Sequence, residues 1–351
     1  MKTLLKRTSL ILLLLAGILI ISCVPALQDL WHKDVGTVVS AHPIATKIGM
    51  EVLRDGGNAV DAAVAVGFAM GVVDQFHSGI GGGGFIVIRM ADGTIHTIDG
   101  RETAPAAATR DMYLRDGQFD PSLSQEGVLA VGVPGIVAAY EEALDLVGTK
   151  ALAEVIQPSI LVARDGFKLD KPYANVIQET AEKLKTDPAS AAIYLHKDGS
   201  PLAAGKILRQ PDLAATYKKI AAGGADYFYR GEFAEQLADY MKANDGLITA
   251  ADMTGYTVRH REPIVGNYRD YEVIGMAPPS SGGVHVLQIL NMLEASGVLE
   301  GKSGWDSESV YLTARFMSQA FEDRSLHLGD SDFYNVPADF LASQAYADSV
   351  V

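Results

Sequence analysis

Arg101 and Glu102 close a stretch, His77 to Pro105, in which glycines at 79, 81, 82, 83, 84 and 93 leave the backbone with few side chains. Such a backbone can approach a ligand or a neighbouring strand closely. The planar fork of an arginine suits a carboxylate held by two parallel hydrogen bonds. Together they make a place for an anion, although an arginine at a strand end also serves in ordinary surface ion pairs. Phe85 to Arg89 reads as a short apolar strand, Ala91-Asp92-Gly93 as the turn of a hairpin, and Thr94 to Asp99 as the returning strand that delivers Arg101 and Glu102.

Other chemistries find less support. Gly79-x-Gly81-x-x-Gly84 matches the dinucleotide fingerprint in letters, but that motif needs a strand before it and a helix after it. Here a helical pattern precedes and a strand follows, and Ala104 stands where an acidic ribose ligand would be, so no nucleotide cofactor is expected. The eight histidines show no zinc-ligand spacing, and no metal is expected. No Gly-x-Ser-x-Gly elbow occurs, and Ser280-Ser281-Gly282-Gly283 lacks the strand that such an elbow follows.

The elements that must position Arg101 can be read on either side. Thr37 to Ala41 reads as a short buried strand. His42-Pro43 opens a helix from Ile44 to Arg54 that stops at Asp55-Gly56-Gly57. Asn58 caps a second helix, Ala59 to Val73, so apolar on every side that it must be buried; Asp61 is its only charge. Val128 to Val133 resembles a strand, Ile136 to Leu146 and Leu152 to Arg164 read as helices, and the pattern stays helical to Met241. Thr257 to Met276 reads as two adjacent strands. Helices are expected over Val284 to Leu293 and about Val310 to Leu328. The reading is one domain, strands towards both ends and helices between.

At 351 residues, 48% apolar and 21% charged, the composition is globular. Residues 1–22 carry Lys2, Lys6 and Arg7, no acid, and an apolar run from Leu10 to Ile21. Twelve apolar residues make a helix of roughly 18 Å, short of the ~30 Å hydrocarbon core, so the segment reads as an export signal rather than a permanent span. Taking its three basic residues from the total of 29 leaves 26 against 43 acidic ones, a charge of −17. That balance repels phosphate backbones, and nucleic acid is excluded as a partner. The sole cysteine, Cys23, follows Leu19-Ile20-Ile21-Ser22, which resembles the bacterial lipoprotein box. The expectation is a signal over 1–22, lipid attachment at Cys23, a tether over 23–34, and a periplasmic or cell-surface location at a membrane.

Ser40-Ala41-His42-Pro43, Gly56 to Ala65, Ser78 to Phe85, Asp99 to Tyr113, Gly132-Val133-Pro134-Gly135, Gln157-Pro158, Asp252-Met253 and Pro278 to Gln288 together resemble the large-subunit half of the γ-glutamyltranspeptidase (glutathione hydrolase) family. The likeness runs in order from about Val35 to Tyr346. It implies an α+β fold, a four-layer αββα sandwich of the N-terminal-nucleophile hydrolase type, with 35–351 as the large-subunit part of a precursor that cuts itself in two. It implies that the small subunit's N-terminal threonine takes the γ-glutamyl group from glutathione as an ester, and that water, an amino acid or a peptide removes it. It implies no cofactor. The family's carboxylate-binding arginine, in Arg-Glu-x-Ala-Pro, is Arg101 here.

Two departures stand out. Gly100 replaces an aromatic before Arg101, which is expected to open the pocket wall. No Thr-Thr pair occurs, so the nucleophilic threonine and the small subunit are expected beyond Val351 and the chain is expected to be inactive alone. A cephalosporin or glutaryl acylase, a poly-γ-glutamate depolymerase and a non-catalytic lipoprotein that binds γ-glutamyl peptides are the alternatives.

Overall fold

The computed structural model describes residues 35–351. The expected signal, Cys23 and tether lie outside them.

Helix α1 (Pro43–Arg54) starts on His42, whose ring Nδ1 accepts the Ile44 N–H at 3.2 Å, with Pro43 in the first turn where a missing donor costs nothing. It ends at Asp55 and at Gly56, which takes a φ of 84°. Burial pushes the His42 pKa down, in keeping with a ring that must stay unprotonated to accept. Helix α2 (Ala59–Val73) is capped by Asn58, whose Oδ1 accepts from Val60 and Asp61 while Asp61 Oδ2 accepts the Asn58 N–H at 2.7 Å. As its composition requires, α2 is buried, with Phe68, Ala69 and Val72 fully enclosed. It packs between α1, α3 (Ile136–Val147) and α4 (Leu152–Asp165).

Strands β1 (Gly84–Arg89) and β2 (Ile95–Gly100) form the expected antiparallel hairpin, in register from Gly84 opposite Gly100 to Arg89 opposite Ile95. Gly93, at φ 91°, makes its turn. The hairpin lies on α3, and helices α5 (Pro211–Tyr229) and α6 (Glu232–Ala243) extend the helical side. A second hairpin, β3 (Ile264–Tyr268) and β4 (Tyr271–Gly275), packs on α8 (Gly282–Ala295), which follows the short α7 (Ala250–Gly255). Helices α9 (Ser307–His327) and α10 (Gln344–Val350) complete this part around Leu287, Met292, Phe316 and Ala347.

Two expected strands are absent. Residues 37–41 are irregular; Val38 packs towards Gly49, but Val39 is 87% exposed and no described strand pairs with the segment. β-branched residues favour a strand only where a neighbour supplies the other half of the hydrogen bonds. Val128–Ala130 is a turn of 3₁₀ helix, and only Val133 makes a bridge, to Thr103.

Asp61, fully buried, joins two distant parts of the chain. Beyond its bond to Asn58 it accepts from the Thr149 N–H at 2.9 Å, the Thr149 hydroxyl and the Lys150 N–H at 3.1 Å. Burial pushes its carboxyl up, but these hydrogen bonds outweigh it and hold the pKa below the ordinary 3.8. A depressed folded value means that the stability it adds is complete above 3.8 and is lost as pH falls through the folded pKa. Asp61→Asn turns an amide donor towards these N–H groups. It is expected to cost about 1–3 kcal/mol in urea unfolding at pH 7. That difference should shrink as both proteins are acidified from pH 3.8 down through the folded pKa.

Candidate functional site

The glycine loop between α2 and β1 is held by its backbone. The carbonyl of Gly82 accepts the N–H groups of Gly135 and Ile136, at 3.0 and 3.1 Å, so the cap and first residue of α3 are tied to the loop. A Cβ on Gly83 would stand 2.5 Å from the Gly100 carbonyl oxygen and 2.7 Å from the Glu102 nitrogen. One on Gly135 would run into the same Gly100 oxygen and into the Tyr256 hydroxyl. Glycine is required at both places by contact with backbone, which cannot yield as a side chain might.

This packing sets the segment after β2. The Arg101 N–H donates to Asp99 Oδ1 at 3.0 Å, and the Arg101 carbonyl accepts from the Tyr256 hydroxyl at 2.8 Å. Tyr256 stacks on Tyr229, and burial, with Asp99 and Glu102 nearby, holds its phenol above the ordinary value, so it remains a donor. Thr103 exchanges two backbone bonds with Val133, and the Ala106 N–H reaches Asp252 Oδ1 at 2.8 Å. Arg101 to Ala106 is thus pinned at alternate points.

The Arg101 side chain is 54% exposed. Its guanidinium lies 5.7 Å from the centre of the Phe85 ring, and its Nε stands 3.5 Å from Glu102 Oε2. An ion pair this long and this exposed is worth about 0–1 kcal/mol, so a ligand carboxylate with a bidentate fit can replace it. Side by side, Arg101 and Glu102 offer one positive and one negative group, the complement of a zwitterion.

Glu102 also lines a cavity of about 500 Å³ beneath the glycine loop, with Gln75, His77, Ser78, Tyr140 and Leu213; Arg101 is not among its lining residues and stands beside Glu102. His77 Nδ1 is paired with the largely buried Asp74 at 3.2 Å. No three His, Cys, Asp or Glu side chains among the described residues come together as a metal would need. The Gly79-x-Gly81-x-x-Gly84 run lies after α2 and before β1, the reverse of the nucleotide-binding order.

Gly100 does not open a pocket wall. It is buried against α3, and a Cβ there would stand 2.5 Å from Ala139 Cβ. The position faces the helix layer, so its size bears on packing rather than on ligand space.

A profile described as Gamma-glutamyltranspeptidase matches residues 45–351. The chain belongs to the γ-glutamyltranspeptidase family. It is 42% identical over 327 residues to the glutathione hydrolase proenzyme of Escherichia coli (strain K12), covering 92% of this chain and 56% of that protein. It is 45% identical over 321 residues to the acylase ACY 1 proenzyme of Pseudomonas sp. (strain V22), covering 89% of this chain and 57% of that protein. The chain thus spans about half the length of the curated relatives it matches. Among solved structures, γ-glutamyltranspeptidase of Helicobacter pylori superposes with a TM-score of 0.88 at 42% identity, covering 91% of each chain. The α+β fold of this family is the one described above.

The glycine contacts predict a sharp contrast. Gly100→Phe should destabilise the chain by roughly 3 kcal/mol or more, since overpacking of a tight core costs about 1–3 kcal/mol and here the backbone layers must also part. Gly79→Ala, whose Cβ meets nothing within 4 Å, should stay within about 0.5 kcal/mol of the parent. Chemical denaturation of the three proteins checks both.

Proposed function

We propose that this chain supplies the carboxylate-binding half of an enzyme that transfers or hydrolyses the γ-glutamyl group of glutathione and related compounds. The observation that carries this reading is Arg101: its backbone is clamped on both sides, while its guanidinium is half exposed and engaged only by Glu102 and the face of Phe85 among the described residues. A fixed arginine of this kind takes the α-carboxylate of the γ-glutamyl donor, leaving the γ-carbonyl for attack. Resemblance to proenzymes supports a nucleophilic threonine on a small subunit. Its hydroxyl would add to the γ-carbonyl while its own amine takes the proton; the donor amine leaves with that proton, and an ester remains. Water or an acceptor amine then cleaves the ester. In this reading the described residues form part of a four-layer αββα sandwich, which the small subunit completes. Helix α9, with Val310, Tyr311, Met317 and Phe321 exposed, offers apolar surface of the sort a permanent partner covers. Residues 1–22 act as the signal and Cys23 carries the lipid that holds the enzyme at a periplasmic or cell-surface membrane.

A second reading, an acylase acting on glutaryl amides, is favoured by the similarity to ACY 1. The two readings separate in one assay of the chain paired with its small subunit. Nitroaniline should be released from γ-glutamyl-p-nitroanilide, whereas turnover of glutaryl amides alone would favour the acylase. In the same assay Arg101→Lys should raise KM roughly tenfold or more, because one of two charge-assisted hydrogen bonds worth about 1.5–3 kcal/mol is lost, with a smaller effect on kcat. An unchanged KM would remove Arg101 from carboxylate binding.

A further inference from the structure

Asp99 divides its carboxylate between two tasks. It is buried to 4% exposure, next to last in β2, and its Oδ1 accepts the N–H of Arg101 two residues on. That bond forms an Asx turn, which ends the strand at Gly100 and sends Arg101 out of the sheet. Its Oδ2 receives Arg261 through Nε at 3.1 Å and Nη2 at 3.0 Å. Arg261 is itself held along the open edge of β2: its N–H donates to the Thr97 hydroxyl at 3.0 Å, that hydroxyl donates to its carbonyl, and Arg259 exchanges two backbone bonds with Asp99. The far side of the same guanidinium grips Asp332, Nη1 on Oδ1 and Nη2 on Oδ2 at 3.0 Å, with Ser331 Oγ 3.4 Å away.

Resting on the reading of Arg101 as the donor-carboxylate ligand, we infer that Asp99, Arg261 and Asp332 form a positioning relay that sets the direction of the Arg101 side chain. A carboxylate held on one oxygen by a guanidinium fork cannot rotate about its Cβ–Cγ bond, so its other oxygen keeps its aim at the Arg101 N–H. Asp332 prevents the fork from swinging away, because it takes Nη1 and shares Nη2 with Asp99. None of the three touches the substrate. Each acts through the bond from the Arg101 N–H to Asp99, one of the two that clamp the backbone where Arg101 leaves the strand.

The test uses the chain paired with its small subunit and a γ-glutamyl-p-nitroanilide donor. Asp99→Asn keeps an oxygen for the Arg101 N–H but offers Arg261 no charge; it should raise KM roughly three- to tenfold with kcat nearly unchanged, the pattern of lost ground-state positioning. Asp332→Asn, at a more exposed position, should raise KM about twofold and carries the test if Asp99→Asn does not fold. Combined with Arg101→Lys, either change should add little further, because both routes end at the same guanidinium. Effects that multiply in the double variants, or variants that lower Tm while KM stays at the parent value, would overturn the relay and leave a structural ion pair. If Arg101→Lys alone leaves KM untouched, the carboxylate reading falls and the relay with it. If Arg101→Lys raises KM but neither aspartate variant does, only the relay falls.

Discussion

The carbonyl of Gly82, shared by the N–H groups of Gly135, which caps α3, and Ile136, its first residue, sets the distance between the glycine loop and the helix layer. Much of the site's geometry depends on that distance. It brings Gly83 so near the Gly100 carbonyl and the Glu102 nitrogen that no side chain fits between them, and it places Gly135 against the Tyr256 hydroxyl that supports Arg101. A helix N-terminus is commonly an anion site. Here the Gly135, Ile136 and Ala138 N–H groups already have partners within the protein, so the positive group offered to a ligand is a side chain.

The division of labour around Arg101 follows from burial. Asp99 and Tyr256, which hold the backbone, are nearly enclosed, and their bonds act in surroundings where an unmade partner is costly. Arg101 and Glu102 lie in partial contact with solvent, where an ion pair is weak and easily exchanged. Rigid support beneath a loosely engaged charged pair gives orientation without spending the charge on a permanent partner.

What the sequence discloses is local. Asn58 three residues before Asp61, Pro43 after His42 and Gly93 at the turn each specify a nearby backbone conformation, and helices α1 and α2 and the first hairpin lie where those signals put them. Arg101 is visible as a charged fork after a glycine-rich hairpin. What escapes depends on partners far along the chain. Nothing near Thr37 to Ala41 shows that no described strand will pair with it, and nothing near Gly100 shows that Ala139 will fill the space where an aromatic is expected. Nothing near Arg261 shows that it will meet Asp99, 162 residues away.

Asp61 fastens together the two ends of the segment that carries the ligand-facing residues. Its bonds to Thr149 and Lys150 span 88 and 89 residues and close a loop that contains the glycine run, the hairpin and Arg101. Closing a loop of that size costs entropy before the contacts inside it repay the cost. The glycine run, the hairpin and Arg101 thus hang between two points fastened to a single buried carboxylate, so a change at Asp61 reaches the ligand-facing part of the chain without touching it.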